Sequence, residues 1–322
     1  MADIVTIGEI IVDLTALKSE EGETSYLQCA GGAPANVAVM ASKLGVSSGF
    51  IGKTGSDMFG SFLLDTLKKH GVSTDGVIVD KTRRTPLAFV KLDTDGEREF
   101  CFYRENSADT ALTYDDVNKK MIDDCKIFHF GSLLLASEPS KSATVNAVEY
   151  AKSKGKIISY DPNFRKSLWE SSDKAISTMR SVLKYCDVLK IAESELDAIS
   201  DCNILLKSLA DLFKYGISVV ILTQGAKGCV IASKKGIERL PTYDVETIDT
   251  IGAGDSFFGA FLSQLAQSGK RPEELSMDEL VKFADFANAC GALSSTKHGA
   301  IPSMPTLQEV QDCMKLTSKL LH

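Results

Sequence analysis

The chain has 322 residues, of which 44% are hydrophobic and 25% are charged, a composition typical of a globular protein with a sizeable core. The 36 basic and 43 acidic residues give a net charge of −7, which argues against nonspecific binding to nucleic acid or to a membrane surface. No apolar run reaches the roughly 18 residues that a membrane span needs, and MADIVTIGEI lacks the pattern of a signal peptide.

The eight cysteines are scattered along the chain. None forms a CxxC pair and the four histidines do not cluster with them, so the sequence does not predict structural zinc. Most of them lie in apolar runs, a pattern typical of buried free thiols in a reducing compartment. We therefore expect a cytoplasmic protein.

The first third of the chain combines short β-rich runs with amphipathic helices. A helix is predicted to begin near Pro34, which follows Gly31 and Gly32, because proline suits the first turn of a helix. Asp95-Gly96 predicts the turn of a β-hairpin. The predicted strands are 4–7, 10–14, 48–52, 85–92 and 98–103, and the predicted helices are 35–44 and 59–70.

From residue 127 onward, short apolar runs alternate with segments of helix length, which indicates repeated βαβ units and a parallel sheet. The predicted strands are 127–130, 157–160, 188–191 and 219–223, followed by a hairpin at 228–233 and 237–241. The predicted helices are 140–153, 172–183, 193–200, 204–215, 255–267, 277–295 and 306–319. We expect one large α/β domain with a small β lid built from about 11–30 and 84–108.

The most informative motif is DTIGAGDSFF, in which three small residues precede Asp255 and an apolar helix. Gly252, Ala253 and Gly254 let the backbone approach a ligand closely, and a helix N-terminus binds anions. A carboxylate beside such an anion site can deprotonate a hydroxyl that attacks a phosphoryl group. The alternative is that Asp255 is the helix N-cap and the glycines form a turn.

A second motif, GGAPAN, places Gly31 and Gly32 just before a helix and Asn36 on its first turn. Close backbone approach together with an amide that donates and accepts suits a polyhydroxylated ligand. Asp13, at the end of a predicted strand, could accept hydrogen bonds from two sugar hydroxyls. The alternatives are a plain loop–helix junction and a solvated residue at a strand end.

Further polar groups follow predicted strands, where an open parallel sheet binds ligands. Arg165 ends the motif DPNFR and could bind phosphate or a hydroxyl; alternatively it is a surface residue after a common turn. Glu195 in KIAESE could act on Mg²⁺ through water, or could be a helix N-terminal acid. The glycine turn 223–228 could cover nucleotide phosphates or merely connect strands, and Arg104 could reach the cleft from the lid or be an exposed cation on a strand edge.

With these residues in order, the chain resembles the ribokinase-like (PfkB) carbohydrate kinases over nearly its whole length. AGGAPANVAVMASKLG is similar to the family's N-terminal signature and DTIGAGDSFFGAFL to its C-terminal one. The resemblance implies a three-layer α/β/α domain over residues 1–322, with a mostly parallel central sheet and a small β-sheet lid. It also implies ATP and Mg²⁺ as cofactors, with K⁺ as a further candidate.

The resemblance also implies roles for individual residues. Asp255 is then the catalytic base, and an anion hole is formed by the amides of Gly252, Ala253 and Gly254. The implied sugar-binding residues are Asp13, Gly31, Gly32, Asn36, Arg104 and Arg165. The implied nucleotide-binding residues are Lys190, Thr223, Gly225, Gly228 and Asn288. Glu195 is implied for Mg²⁺ through water, and a monovalent cation is implied at Asp249, the carbonyl of Ile251 and Ser303.

Within the family the chain is most similar to fructokinases, on the segments GGAPANVA, EREFCFYRENSAD and YDPNFRKSLW. This implies phosphorylation of D-fructose to fructose 6-phosphate, and a homodimer formed through the lid. Two positions depart from the pattern: Ala192 replaces the Asn of an Asn-x-x-Glu motif, and Glu105-Asn106 replaces the usual Asn-Pro. The alternatives are a 2-keto-3-deoxygluconate kinase, whose carboxylate substrate would suit two arginines, and a non-catalytic sugar-binding regulator.

Overall fold

A nine-stranded sheet forms the centre of the molecule, and a separate four-stranded sheet lies beside it. The computed structural model describes residues 2–18, 23–92, 98–200, 202 and 204–320. In chain order the strands are β1 (Ile4–Ile7), β2 (Ile11–Lys18), β3 (Thr24–Gly31), β4 (Ser48–Gly55), β5 (Ser73–Asp80), β6 (Leu87–Leu92), β7 (Arg98–Tyr103), β8 (Ile127–Gly131), β9 (Ile157–Asp161), β10 (Val188–Ala192), β11 (Val219–Thr223), β12 (Cys229–Ser233) and β13 (Gly236–Leu240).

Helices cover the large sheet and fill most of the sequence between its strands. They are α1 (Ala33–Lys43), α2 (Met58–Lys69), α3 (Lys119–Asp124), α4 (Ser140–Ser153), α5 (Ser172–Ser181), α6 (Leu196–Ser200), α7 (Leu205–Phe213), α8 (Ala253–Ser268), α9 (Met277–Ser294), α10 (Ala300–Ser303) and α11 (Leu307–Leu316). Among the residues that the model describes, none of these helices is long and apolar enough to cross a bilayer.

The large sheet has the order β13-β12-β11-β10-β9-β8-β1-β4-β5. Its strands run parallel except for the terminal hairpin β12–β13, which adds to β11 in antiparallel fashion. Side chains alternate between two hydrophobic cores: Val219 and Ile221 pack into one and Val220 and Leu222 into the other. Burial on both faces is typical of a parallel sheet between two helical layers, so the three-layer α/β/α prediction is confirmed.

The small sheet has the order β3-β2-β6-β7, with β2 and β6 parallel and the outer pairs antiparallel. It is joined to the large sheet where β2 follows β1 and where β3 leads into α1. The strands predicted on either side of Asp95-Gly96 pair as expected, whereas that turn itself lies outside the described residues. The exact extent of a lid stays a prediction.

Two local predictions were wrong for identifiable reasons. The edge strand β5 was not predicted, because Asp75-Gly76 in its middle is a turn signal. Here Gly76 instead allows close packing, since a Cβ at that position would lie 2.7 Å from the side chain of Ile51. Asp13 was placed at a strand end, but β2 continues to Lys18, so Asp13 lies within the strand and pairs with Cys29.

Candidate active site

A cleft of about 920 Å³ lies between the carboxyl ends of the large sheet's strands and the small sheet. Such a position is where open parallel sheets bind ligands. The cleft brings together ten of the predicted site residues: Asp13, Gly32, Asn36, Arg165, Lys190, Glu195, Ile251, Gly252, Gly254 and Asp255. Residues remote in sequence thus meet in one site, as the prediction required.

Asp255 lies on the first turn of α8 and is buried in the cleft wall. Its Oδ2 accepts a hydrogen bond from Asn36 Nδ2 at 2.8 Å, and its Oδ1 accepts one from Asn163 Nδ2 at 3.3 Å. The N-cap of α8 is Gly252, so the alternative that Asp255 is the N-cap is wrong. Two amides therefore fix the orientation of a carboxylate that lines the cleft.

The electrostatic surroundings of Asp255 favour a base that works near neutral pH. Burial raises its pKa to about 6, and the negative charge of Asp161 acts in the same direction. The hydrogen bond from Asn36 and the positive charges of Lys190 and Arg165 oppose this rise. Asp255 is thus ionised at neutral pH and yet more basic than an ordinary aspartate.

A buried ion pair lies beside the start of α8. Lys190 Nζ donates to Asp161 Oδ2 at 2.9 Å. A Cβ at Gly254 would lie 3.0 Å from Lys190 Nζ, so the ammonium group is next to the helix N-terminus. Burial lowers the pKa of Lys190, but Asp161, Glu195 and Asp255 outweigh it and raise the pKa above its usual value. The cleft therefore holds a fixed positive charge at the predicted anion hole.

Glu195 connects the ends of two neighbouring strands. Its Oε1 accepts from the amide of Phe164 at 2.6 Å, and its Oε2 accepts from the amide of Ala192 at 2.9 Å. Burial and the charge of Asp161 raise its pKa. The bond to Ala192 is the one expected of an acid at a helical N-terminus, and the carboxylate also lines the cleft. Glu193–Glu195 form a 3-10 turn that continues directly into α6, so the helical segment predicted over 193–200 is confirmed, with a first turn that is 3-10 rather than α-helical.

Asp13 and the two glycines before α1 form the other end of the cleft. A Cβ at Gly31 would overlap the Asp13 carboxylate, so a side chain there would displace Asp13. Gly32 has φ of 103°, and a Cβ there would lie 2.5 Å from the carbonyl oxygen of Glu9, so this position needs glycine. Burial and the charge of Asp255 raise the pKa of Asp13 to about 7, while Arg165 opposes this rise.

Arg104 follows β7 and lies in the interior, with 6% of its surface exposed. Its Nε donates to Asp109 Oδ2 at 2.5 Å, and its Nη1 donates to the carbonyl of Leu133 at 3.2 Å. The alternative of an exposed cation at a strand edge is therefore wrong. Arg104 is not among the residues that line the cleft, although its neighbours Phe102 and Leu133 are.

The predicted nucleotide-binding residues Thr223, Gly225, Gly228 and Asn288 surround the turn from β11 to β12. They do not line the cleft themselves, but Thr223 pairs in register with Ala192, which does. Asn288 Nδ2 donates to the carbonyl of Pro241 at 3.3 Å. Gly228 has φ of 89°, and a Cβ there would overlap the Leu240 carbonyl.

Asp249 ties the loop before α8 to the loop before α10. Its Oδ1 accepts from the amide of Ile251 and its Oδ2 from the amide of Gly299, both at 2.9 Å. Ser303, at the end of α10, donates to the carbonyl of Ala300 at 2.7 Å. Within the described part of the chain, no group of three or more His, Cys, Asp or Glu residues is arranged to hold a metal ion.

Five polar residues that line the cleft were missed as site candidates: Glu9, Asn163, Ser194, Thr247 and Thr250. Glu9 is buried in the apolar run after β1, and a carboxylate in such a run was the signal that could have identified it. Asn163 was noted only as part of the DPNFR motif. It has φ of 42°, a conformation that asparagine tolerates better than most residues, and it donates to Asp255.

A model of the family described as "pfkB family carbohydrate kinase" matches residues 1–307. The chain belongs to this family. Among its relatives, a probable fructokinase-5 of Arabidopsis thaliana is 44% identical, with 98% of each chain covered. The family assignment thus agrees with the two signature sequences and with the ribokinase-like fold.

Solved structures of other pfkB-type kinases superpose closely on this one. Fructokinase of Xylella fastidiosa with bound ATP has a TM-score of 0.90 and 33% identity, covering 98% of this chain and 99% of that one. A double mutant of Vibrio cholerae O395 fructokinase with fructose, ADP and potassium ion has a TM-score of 0.88 and 31% identity, covering 98% of both chains. A putative ribokinase II of E. coli with ATP and Mg²⁺ has a TM-score of 0.87 and 29% identity, with 98% and 99% coverage.

Proposed function

We propose that this pfkB kinase transfers the γ-phosphoryl group of ATP to the 6-hydroxyl of D-fructose, giving fructose 6-phosphate and ADP. The observation that carries the proposal is the Asp255 carboxylate, held by Asn36 and Asn163 at the N-terminus of α8 inside the cleft. The similarity to plant and bacterial fructokinases supports fructose as the acceptor.

In this proposal Asp255 takes the proton of the 6-hydroxyl as that oxygen attacks the γ-phosphorus. A new O–P bond forms, the bond from the γ-phosphorus to the bridging oxygen breaks, and ADP leaves with the electron pair. The amides of Gly252 and Gly254 stabilise charge on the transferring group at the helix N-terminus, whereas the predicted third donor, the amide of Ala253, donates to the carbonyl of Thr250 at 3.2 Å. Lys190, held beside Gly254, adds a positive charge at the same place.

The remaining predicted residues take proposed roles by position. Asp13, Asn36, Arg165 and the backbone at Gly31 and Gly32 bind the sugar, with Arg104 supporting that end of the cleft. The nucleotide is bound at Lys190 and around the turn from β11 to β12, by Thr223, Gly225, Gly228 and Asn288. Support comes from the cleft, which holds Lys190 together with Asp13, Asn36 and Arg165 and reaches Ala192 beside Thr223, and from the ATP-bound relatives.

The carboxylates in the cleft fit the chemistry of a nucleotide-bound magnesium ion. Mg²⁺ prefers oxygen ligands and keeps several waters, so one or two carboxylates suffice. Glu195 would hold it through water, since each carboxylate oxygen has a second lone pair beside the one used by a backbone amide. When bound, the ion neutralises phosphate charge. Asp249, the carbonyl of Ile251 and Ser303 are proposed for a monovalent cation such as K⁺, as the potassium-bound relative suggests.

A panel of acceptors tests the proposed substrate. We expect clear preference for fructose over mannose, glucose, ribose and 2-keto-3-deoxygluconate in ATP-dependent phosphorylation with Mg²⁺ and K⁺ present. Arg165 in the cleft makes the keto acid the strongest competitor, because a guanidinium group binds a carboxylate well. Preference for the keto acid would contradict the substrate while keeping Asp255 as base, and sugar binding without turnover would favour a regulator.

The raised pKa of Asp255 predicts an acid limb in the activity profile. Only the ionised carboxylate accepts a proton, so kcat/KM for fructose should fall as the pH drops below about 6. Asp13, with a pKa raised to about 7, gains its proton first, so the fall should begin near pH 7 and become steeper below about 6, with the plateau above both values. Rates measured from pH 4.5 to 8.5 on enzyme shown to stay folded check this.

Two variants test whether the acid limb of the activity profile reports the pKa of Asp255 or that of another group. Asp161→Asn removes a charge that raises the Asp255 pKa, so its acid limb should move to lower pH. Lys190→Met removes a charge that lowers this pKa, so its limb should move to higher pH. Each profile is normalised to its own plateau, which removes differences in folded fraction. Limbs that stay in place or move together would argue against Asp255 as the titrating base.

We also propose that the small sheet is a lid, about residues 11–30 and 84–108, and that two copies of the chain pair through it. Tyr26 and Tyr103 are 51% and 63% exposed and flank Phe89 in one aromatic row, a surface that a partner would cover. Light scattering should give twice the monomer mass, and a monomeric mass would contradict the pairing.

A cytoplasmic location stays a prediction, supported by eight free cysteines.

A further inference from the structure

Glu9 is a buried carboxylate of the cleft. Among the described residues, only one of its two oxygens has a hydrogen-bond donor. Glu9 is 1% exposed and lines the cleft. Its Oε1 accepts from the amide of Ala33 at 2.9 Å, whereas its Oε2 is buried and has no hydrogen-bond partner among the residues that the model describes. Since an unsatisfied buried carboxylate oxygen is costly, a group that donates to it is expected in the working enzyme.

A second unsatisfied group of opposite charge belongs to the same region. Within the part of the chain that the structure describes, Arg104 Nη2 is buried without a hydrogen-bond partner, while its Nε and Nη1 donate to Asp109 and to the carbonyl of Leu133. The Arg104 charge opposes the effect of burial, which raises the pKa of Glu9 to about 7. A hydroxyl group both donates and accepts, so it complements a carboxylate and a guanidinium group together.

The contact that Glu9, in the segment between β1 and β2, makes with α1 indicates which hydroxyl this is. Glu9 is bonded to Ala33 and Asp255 to Asn36, and these two residues are three positions apart on α1. The two carboxylates are therefore attached about one helical turn apart, roughly 5 Å along the helix. Both residues line the same cleft, so one hexose with its reacting 6-hydroxyl at Asp255 can extend toward Glu9.

We propose that Glu9 is a sugar-binding residue whose Oε2 accepts a hydrogen bond from the C1 or C2 hydroxyl of fructose. The inference rests on the proposed fructokinase function and adds a specificity contact at the end of the sugar remote from the chemistry. A buried carboxylate with a purely structural role has both oxygens satisfied. Asp187 is an example, because its Oδ1 accepts from Lys152 at 2.7 Å and its Oδ2 from the amide of Ile158 at 2.8 Å.

The test compares Glu9→Gln with the wild type on fructose and on two analogues. These are 1-deoxy-D-fructose, which lacks the C1 hydroxyl, and 2,5-anhydro-D-mannitol, which lacks the anomeric C2 hydroxyl. Glutamine keeps a carbonyl oxygen for the Ala33 amide but places an NH₂ group where Oε2 lies. Asp187→Asn is the matched control, since it changes a buried carboxylate outside the cleft. Calorimetric affinities are measured beside kcat/KM, so that the comparison does not depend on turnover.

Glu9→Gln should weaken fructose binding and lower kcat/KM by roughly 10- to 100-fold. For one of the two analogues, the variant and the wild type should agree within about threefold, because the hydroxyl that Glu9 binds is already missing. Asp187→Asn should change all three sugars by the same factor. An equal loss on fructose and both analogues, or unchanged fructose binding in Glu9→Gln, would overturn the proposal. Fructose turnover by the wild type separately tests the proposed function.

Discussion

Replacing Asp255 with asparagine should lower kcat for fructose phosphorylation by about 10²- to 10⁴-fold, the range expected when a general base is lost. Asparagine has nearly the same shape, but its NH₂ group replaces one of the two oxygens that accept from Asn36 and Asn163. One of these contacts is kept, and the other is remade when the partner amide turns its oxygen toward residue 255. The amide at residue 255 cannot take the proton of the attacking hydroxyl. The loss should therefore fall on kcat, with fructose affinity within a few-fold of wild type.

Steady-state kinetics and calorimetric fructose binding measure these two effects separately. Asp278→Asn is a matched control, because it removes a carboxylate from the first turn of another helix, α9, on the exposed surface. It should leave both quantities unchanged. Turnover by Asp255→Asn near the wild-type rate would remove Asp255 from the mechanism, and lost fructose binding would make it a binding residue instead.

Replacing Gly252 with alanine should lower kcat by about 10²- to 10³-fold, the cost of losing a well-placed donor of an anion hole. Gly252 has φ of 76°, and a Cβ there would lie 2.6 Å from Cβ and 2.9 Å from Cα of Ala300. The backbone must shift to relieve this clash, because the neighbouring atoms belong to α10 and its backbone. That shift moves the amides of the GAG segment away from the transferring group.

Gly269→Ala supplies the control at the other end of the same helix. Gly269 has φ of 67°, and a Cβ there would have no neighbour within 4 Å. This variant carries the strain of a left-handed alanine, about 1 kcal/mol, without a clash and outside the cleft. Its melting temperature should fall while its kcat stays near the wild-type value. If the two variants lost activity equally, the anion hole would not explain the effect of Gly252→Ala.

Much of this architecture could be predicted from the sequence because local signals and tertiary structure agree. The apolar runs that became β8 to β11 are buried on both faces, and their periodic spacing with helices indicates a parallel sheet. Helix α4 has the predicted bounds, Ser140–Ser153. The GAGD segment begins α8 at the cleft. This could be predicted because small residues directly before an apolar helix allow backbone conformations that larger residues avoid.

The missed features depend on contacts that no local pattern contains. Asp75-Gly76 is a turn signal unless Ile51 packs against the glycine, as it does in β5. Arg104 was interpreted either as a residue that reaches the cleft or as an exposed cation, and only its contacts with Asp109 and Leu133 show that it is buried. Which oxygen of Glu9 lacks a donor among the described residues follows only from its contact with Ala33, which the sequence does not reveal. In each case a distant part of the chain decides the role of the residue.

The position of the transferred phosphate tests the central claim most directly. Wild-type enzyme and Asp255→Asn are incubated with ATP, Mg²⁺ and ¹³C-labelled fructose, and the products are identified by ¹³C and ³¹P NMR. The account predicts that the wild type forms fructose 6-phosphate and ADP in equal amounts, and that the variant forms almost none over the same time. A phosphate on C1, or equal product from both proteins, would contradict a 6-hydroxyl activated by Asp255.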